Sequence, residues 1–147
     1  MRVVVQRVKR AAVRIEGRMH AEIERGLVLL IGIARGDTAG DVEYVARKCA
    51  GLRIFGDESG KMNRSALDVG GAMLAISQFT LYGDTRKGKR PSFTQAAPPE
   101  QAEPLYERFV EVLREEELEV CAGVFGAHMS VEIHNDGPVT LIVEGKS

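Results

Sequence analysis

The sequence predicts a single-domain α+β fold, in which an antiparallel or mixed β-sheet curls into a barrel-like shape and two main helices pack outside it. Three observations favour this class. Many short segments alternate between apolar and polar residues, as strands with one buried face do. Only two segments carry apolar residues at helical spacing, and strands and helices do not alternate regularly. The chain has 147 residues, a usual size for one domain, so a single domain over residues 1–147 is expected.

Composition narrows the class of function. Apolar residues make up 44% and charged residues 28% of the chain, as in soluble globular proteins. The formal net charge is −1, so any contact with nucleic acid has to come from a local basic patch. Neither a signal peptide nor an apolar run of membrane-spanning length is found, which predicts a cytoplasmic protein without membrane contact. Cys49 and Cys121 lie in apolar patterns and the three histidines are scattered, so we expect reduced core thiols, no metal and no cofactor.

The strands are predicted from apolar runs and alternation. Leu27 to Ile33 is almost continuously apolar, as a strand covered on both faces would be. Gly32 inside it indicates a bend or a close backbone approach. Ala72 to Ile76 is also predicted as a buried strand, and it runs on into Ser77 to Leu81. The other predicted strands are Arg2 to Val8, Arg10 to Glu16, Ala21 to Glu24, Arg53 to Phe55, Leu118 to Ala122, His128 to His134 and a last one after Pro138.

The two helices have recognisable first turns. Thr38-x-x-Asp41 resembles a capping box and predicts the start of the first helix. Pro98-Pro99 predicts the start of the second, because proline is tolerated in a first helical turn. Their predicted core faces are Val42, Val45, Ala46, Cys49 and Leu52 in the first, and Leu105, Phe109, Val112 and Leu113 in the second.

A turn-rich stretch, Asn135 to Thr140, lies between two alternating runs near the C-terminal end. Asp-Gly is a strong hairpin dipeptide, so the pattern predicts a hairpin loop. The proline that follows has no amide, which makes the loop stiff and rich in carbonyl acceptors. From the pattern alone, an ordinary edge turn and a functional loop both remain open.

Polar residues follow the buried strand at Ser77-Gln78-Phe79-Thr80. Continued alternation would place Ser77 and Phe79 on one face and Gln78 and Thr80 on the other. This pattern is typical either of a strand that leaves the core or of a binding site. The basic loop, Thr85 to Arg90, follows shortly afterwards, and it is interpreted either as a solvated loop or as a phosphate contact beside a pocket.

Two of these segments resemble the signature motifs of the D-aminoacyl-tRNA deacylases, the D-tyrosyl-tRNA deacylase family. The matching residues are Ser77-Gln78-Phe79-Thr80-Leu81 and Asn135-x-Gly137-Pro138-Val139-Thr140, with no departure in either motif. The opening Gln6-Arg7-Val8 and Ala11-Ala12-Val13 are similar to the start of that family as well. The resemblance covers essentially the whole chain. It implies an enzyme that hydrolyses the ester of D-aminoacyl-tRNA and of mischarged glycyl-tRNA and rejects L-aminoacyl esters.

The resemblance also implies a site shared between two subunits. In this family the Gly137-Pro138 peptide would be cis and would enter the active site of the partner in a homodimer. The implied catalytic residues are Phe79 and Thr80, and Arg7 would brace the loop. The implied substrate-binding residues are Ser77, Gln78, Ala102, Phe125, Met129, Gly137 and Pro138. The residues expected to contact tRNA are Arg86, Lys87, Lys89 and Arg90.

Two mechanisms and two other classes of function stay open. Backbone amides near Phe79 and Thr80 would act with the ribose 2′-hydroxyl, or Thr80 would be a covalent nucleophile. The first is preferred because the sequence offers no obvious base beside Thr80. The alternatives to an enzyme are a non-enzymatic RNA-binding module and a structural dimer without a site. The neutral overall charge argues against the RNA-binding module.

Overall fold

A computed structural model describes residues 1–145 of the chain. The strands are β1 (Arg2–Ile15), β2 (Arg18–Ile23), β3 (Gly26–Gly32), β4 (Phe55–Gly56), β5 (Met62–Arg64), β6 (Ala72–Ser77), β7 (Glu119–Ala122) and β8 (Ser130–Glu144). The helices are α1 (Ala39–Gly51), α2 (Pro99–Glu115) and a short 3₁₀ helix (Phe79–Tyr82).

The long strand β1 organises the main sheet. Its first half pairs antiparallel with β3 and its second half with β2, while β8 pairs antiparallel along its other side. Strands β3, β6 and β7 then follow as parallel neighbours. The separate strands expected at Arg2 to Val8 and Arg10 to Glu16 are therefore one continuous strand. The sheet is mixed, as predicted.

The sheet curls until its two ends approach each other. A ring nitrogen of His20 on β2 lies 3.2 Å from the carbonyl oxygen of Ala122 on β7. Strand β6 shows what the curl encloses, because alternate residues face opposite sides. Leu74 and Ile76 belong to the apolar cluster inside the curl, and Met73 and Ala75 belong to the larger cluster under the helices. The predicted barrel-like sheet with outer helices is confirmed.

Both helices begin where the sequence predicts. Thr38 caps α1, and its side chain accepts a hydrogen bond from the backbone amide of Asp41 while the Asp41 carboxylate accepts one from the amide of Thr38. The hydrogen bonds that the Thr38 amide and hydroxyl donate to the Asp41 carboxylate hold the pKa of Asp41 below its usual value. Helix α2 begins at Pro99, directly after Pro98. Between the helices, Arg108 on α2 contacts Glu43 on α1, with 3.0 Å between Nη2 and Oε1.

The cysteines and one predicted strand differ in part from expectation. Cys49 and Cys121 are both free thiols, but only Cys49 is fully buried. Burial raises the pKa of Cys49 to about 12. The strand predicted over Arg53 to Phe55 is reduced to Phe55–Gly56, which pairs with β5 in a small separate sheet. No helix within residues 1–145 is both long and apolar enough to cross a membrane.

Candidate active site

The first motif lies where strand β6 ends. Ser77 is the last residue of β6, and the backbone amide of Gln78 donates to the carbonyl of Ile31 at 2.7 Å. The chain then turns into the 3₁₀ helix, so the predicted alternation over Ser77 to Thr80 is wrong beyond Ser77. A helix does not place successive side chains on opposite faces, and Phe79 is 54% exposed.

A close backbone approach lets this helix pack against β3. A Cβ atom on Gly32 would lie 3.0 Å from the Cβ of Leu81 and 3.3 Å from the carbonyl oxygen of Gln78. The predicted close approach at Gly32 is therefore confirmed. Arg2 fixes the other end of the helix, because its Nη1 donates to the carbonyl of Leu81 at 3.0 Å.

Two backbone amides at the start of the helix lack an acceptor in the described part of the chain. The amides of Leu81 and Gly83 donate to the carbonyls of Gln78 and Thr80. Among residues 1–145, no acceptor is found for the amides of Phe79 and Thr80, which are the first two of the helix. The end of β6 therefore presents two adjacent N–H groups that can bind an oxygen.

The Thr80 hydroxyl has an amide for a partner. Gln78 donates from Nε2 to Thr80 Oγ1. Within the described part of the chain, no histidine, lysine or carboxylate bonds to this hydroxyl. Thr80 is exposed, and among residues 1–145 no bonded group would remove its proton.

A cavity of about 550 Å³ opens beside this strand end. It brings together six of the predicted site residues, namely Ser77, Gln78, Phe79, Ala102, Phe125 and Met129. Thr80, Arg7, Gly137, Pro138 and the four basic-loop residues are not among its lining residues. A single copy of the chain thus brings six of the predicted residues to one cavity and leaves the Gly137–Pro138 loop outside it.

One carbonyl of β6 anchors the neighbours of two lining residues, Phe125 and Met129. Ala75, on β6, accepts from the Tyr106 hydroxyl at 2.7 Å and from the Gly123 amide at 2.9 Å. Tyr106 is buried, which raises its pKa to about 12, and its ring centroid lies 6.1 Å from that of Phe125. A Cβ on Gly123 would lie only 2.9 Å from the sulfur of Met129. These contacts hold Phe125 and Met129 against the end of β6.

Of the lining residues that were not predicted as site residues, three carry a charged or aromatic side chain: Arg35, Phe93 and His128. His128 is exposed at the edge of the cavity. Arg35 follows the end of β3, and β3 is the parallel neighbour of β6. Since parallel strands end at the same sheet edge, this pairing is the signal that would have found Arg35.

The second motif is a bulge within one strand. Gln6 pairs with Thr140 and Val8 pairs with Asn135, so Arg7 of β1 faces residues 136–139 of β8. The predicted hairpin is wrong, because the runs before and after the turn pair with β1 and not with each other. The Gly137–Pro138 peptide is cis, as the family resemblance implied. Both residues are exposed.

Side chains hold this bulge in place. Arg7 donates from Nε to the carbonyl of Asp136 at 3.2 Å and from Nη1 to the carbonyl of Ile54 at 2.6 Å. Asn135 donates from Nδ2 to the carbonyls of Arg7 at 2.8 Å and Val139 at 3.1 Å. Arg7 therefore contacts the bulge where a bracing residue should, and Asn135 bonds across its base.

The basic loop lies next to the 3₁₀ helix. Asp84 and Ser92 close it with two backbone hydrogen bonds, of 2.7 and 2.9 Å. Arg86 holds both carboxylate oxygens of Asp84, which lowers the pKa of that carboxyl to about 2. Lys87, Lys89 and Arg90 are exposed. Across residues 1–145, no three His, Cys, Asp or Glu side chains come together as a metal site would require.

Known proteins resemble this chain over its whole length. The family model described as D-Tyr-tRNA(Tyr) deacylase matches residues 4–144. The chain belongs to the D-aminoacyl-tRNA deacylase family. The predicted family and enzyme class, an ester hydrolase, are confirmed.

Named relatives in this deacylase family are close in sequence. The D-aminoacyl-tRNA deacylase of Halalkalibacterium halodurans is 60% identical over 146 residues, covering 99% of this chain and 100% of the relative. That of Brevibacillus brevis is 61% identical over 144 residues, covering 98% and 99%. That of Koribacter versatilis is 59% identical over 146 residues, covering 99% and 98%.

Solved structures give the same fold. The c-Myc DNA Unwinding Element Binding Protein superposes with a TM-score of 0.94 at 45% identity, covering 100% of both chains. A structure described as a probable eukaryotic D-amino acid tRNA deacylase superposes with a TM-score of 0.81, covering 97% of this chain and 98% of the other. At 18% identity, the second likeness concerns the fold alone.

Proposed function

We propose that this protein hydrolyses the ester bond between a D-amino acid and the 3′ adenosine of tRNA, releases both, and rejects L-aminoacyl esters. The observation that carries this proposal is the cavity at the end of β6. Ser77, Gln78 and Phe79 line it, and the unused amides of Phe79 and Thr80 lie beside it. A reaction on an activated ester needs this combination of a pocket and hydrogen-bond donors.

The two amides would stabilise the oxyanion. When water attacks the ester, the carbonyl oxygen becomes negative, and backbone donors fixed in advance lower the barrier without reorganising. An aminoacyl ester is already reactive, so correct positioning supplies much of the remaining acceleration. The 2′-hydroxyl of the terminal ribose lies next to the ester and helps to activate the water. His128 lines the exposed rim and is not needed as a base.

Thr80 acts through its backbone in this mechanism. A threonine nucleophile needs a base within hydrogen-bond reach. Its hydroxyl instead accepts a hydrogen bond from Gln78, and an amide cannot take up its proton. The surroundings of Thr80 therefore favour catalysis by the amides over a covalent intermediate.

The bulge opposite Arg7 would supply the chiral filter. Carbonyl groups near Gly137 and Pro138 accept hydrogen bonds from the substrate ammonium and occupy the space that an L side chain would need. Rejection by a rigid backbone is steric exclusion of the unwanted substrate. Glycine carries no side chain to reject, so glycyl-tRNA would also be hydrolysed.

The filter would act across a homodimer. Gly137 and Pro138 are exposed and do not line the cavity of their own chain, which supports their entry into the pocket of a second copy. Apolar side chains beside the bulge are also exposed, at 39% for Leu141 and 62% for Ile142. At the cavity mouth Phe79 is exposed as well. These surfaces support burial against a second copy.

The basic loop would hold the tRNA. Its cations lie outside the cavity and carry charge toward solvent, where phosphates of the acceptor end can approach. The name of the 45% identical solved relative describes binding to DNA. A nucleic-acid-binding protein without hydrolysis is therefore the second candidate, and it predicts retained tRNA binding with no ester cleavage.

The first experiment measures release of D-tyrosine, L-tyrosine and glycine from charged tRNA by the purified protein. D-Tyrosyl and glycyl esters should be cleaved faster than the L-tyrosyl ester by about 100-fold or more. Binding without cleavage would favour the second candidate. Equal cleavage of the D and L esters would remove the chiral filter from the proposal.

A second experiment tests whether the site is shared. One subunit carries Ala102→Phe, which fills the cavity, and the other carries Gly137→Ala, which distorts the bulge. Each homodimer should be inactive, but the mixed dimer should regain up to half of the wild-type sites, because one intact pocket meets one intact bulge. A mixed dimer as inactive as both parents would mean that pocket and bulge act within one chain.

A further inference from the structure

One cation lies at the mouth of the cavity. Arg35 follows β3 and lines the cavity together with Phe79 and Phe93. Among the described lining residues it is the only lysine or arginine. The opening of an otherwise largely apolar pocket therefore carries one positive charge.

Hydrogen bonds hold Arg35 in position. Its backbone amide donates to the carbonyl of Gln95 at 3.1 Å, and its carbonyl accepts from Nε2 of Gln101 at 2.6 Å. Its Nε donates to the carbonyl of Thr94 at 2.6 Å. A guanidinium fixed in this way loses less conformational freedom when it binds an anion.

The far end of the same guanidinium is unoccupied. In the basic loop, the guanidinium of Arg86 donates hydrogen bonds to both carboxylate oxygens of Asp84. No described residue, by contrast, accepts from Nη1 or Nη2 of Arg35, and no described carboxylate pairs with it. Two donors in a planar fork match the spacing of phosphate oxygens.

We propose that Arg35 binds the phosphate on the 5′ side of the terminal adenosine and so directs the ester toward Phe79. This inference rests on the proposed function. Arg35 repels the substrate ammonium, because both are positive. The nearest negative group on the substrate is this phosphate, and Arg35 attracts it. The aromatic pair beside it, Phe79 and Phe93, has ring centroids 5.2 Å apart and offers a surface for a base.

Arg35 therefore differs in role from the basic loop. The cations of that loop lie outside the cavity and would contact phosphates farther along the RNA. A single phosphate at the mouth would position the last nucleotide even when the remaining RNA is missing. This difference makes the two contacts separable with short substrates.

The test uses two esters of D-tyrosine, one with adenosine and one with adenosine 5′-monophosphate. The wild-type protein should prefer the phosphorylated ester. Arg35→Gln should lower kcat/KM for that ester about 10-fold or more, as loss of one charge-assisted hydrogen bond would. It should change kcat/KM for the adenosine ester much less. Arg35→Lys should keep part of the preference, and Arg47→Gln on α1 serves as a control that changes neither value.

The comparison of two esters separates binding from structural damage. If Arg35→Gln lowers both esters equally, Arg35 only supports the loop around Thr94 and the inference is wrong. A wild-type protein that cleaves D-tyrosyl-tRNA but shows no preference between the short esters also overturns it. A protein that cleaves none of the three substrates contradicts the proposed function itself, and this inference falls with it.

Discussion

The two motif segments belong to strands of the same sheet, one at the end of β6 and the other within β8, but they are held in different ways. Ser77 to Tyr82 ends a buried central strand, and main-chain hydrogen bonds and packing against Gly32 fix its course. The bulge between Asn135 and Thr140 lies on an exposed outer strand, where side chains of Arg7 and Asn135 hold it. The segment proposed to bind the ester is thus anchored to the core strands through its backbone, although its side chains are partly or fully exposed. The segment proposed to exclude L-aminoacyl esters is held by a few side-chain contacts. Substitutions near the first segment should therefore lower stability most, and substitutions in the second should lower activity most.

The largest effect is expected when the support of β6 is broken. A Cβ on Gly26 would lie 1.8 Å from the carbonyl oxygen of Ala72, its partner on β6. Gly26→Ala should therefore lower the free energy of unfolding by at least about 3 kcal/mol, measured by chemical denaturation. Gly51→Ala is the matched control, because no atom lies within 4 Å of its added Cβ. Equal stability of the two variants would contradict the packing described for β3 and β6.

A change in the bulge should affect activity more than folding. Gly137 has φ +123°, and an added Cβ would lie 2.9 Å from Val139 Cγ2 and 3.1 Å from Arg7 Nη2. Gly137→Ala should displace the carbonyl groups of the bulge, and a shift of about 1 Å is enough for a 100-fold loss in kcat/KM on D-tyrosyl-tRNA. Gly60→Ala provides the control, since Gly60 has φ +79° in open space on another turn. Similar kinetics for the two variants would show that the bulge takes no part in the reaction.

The basic loop should contribute to binding and not to the chemical step. Changing Arg86, Lys87, Lys89 and Arg90 together to Ala should weaken tRNA binding about 10-fold or more at moderate salt. The slope of log affinity against log salt should fall by about 0.7 for each lost phosphate contact. The rate with saturating substrate should change little. Arg47→Ala with Lys48→Ala is the control on α1, and an unchanged slope in the loop variant would exclude the loop from binding.

The smallest effect is expected at Thr80. Thr80→Val keeps the shape and the backbone amide but removes the hydroxyl that accepts from Gln78. Its single-turnover rate should fall less than about 10-fold, whereas loss of a true nucleophile costs about 10⁴-fold or more. Thr80→Ser retains the hydroxyl and is the matched comparison. Isolation of a D-aminoacyl adduct on Thr80 of the wild-type protein would overturn the amide mechanism.

Local patterns in the sequence were sufficient for much of the fold. The capping box at Thr38 and Asp41 and the buried strand from Ala72 depend on neighbouring residues, and both are present in the structure. The hairpin prediction was wrong because Asp136-Gly137 signals a turn locally but does not say which strand its flanking runs pair with. Both flanking runs pair with β1, which lies more than a hundred residues earlier in the chain. Pairing over that distance leaves no mark in a short window of sequence.

The same limit applies to the site. Ser77, Gln78 and Phe79 were singled out because hydroxyl, amide and aromatic side chains directly follow a buried strand. Arg35 was missed because its place at the cavity follows from the parallel pairing of β3 with β6, which is a tertiary feature. The 3₁₀ helix was missed because the residues at its start continue the alternation of the preceding strand. The space that lets the chain turn there is left by Gly32 on β3, which is distant in sequence.

The pairing of β1 with β8 also has a consequence during synthesis. A ribosome adds about 5–20 residues per second, so Arg7 is synthesised many seconds before Asn135, to which it is hydrogen-bonded in the folded protein. Until then one side of β1 stays open to solvent or to a chaperone. A prematurely terminated chain that ends before Ser130 would contain β6 and the amides of Phe79 and Thr80, but neither the bulge nor the strand that closes over Arg7. The nascent protein therefore carries the groups proposed for hydrolysis before the element proposed to restrain them, and only a fully translated chain has both.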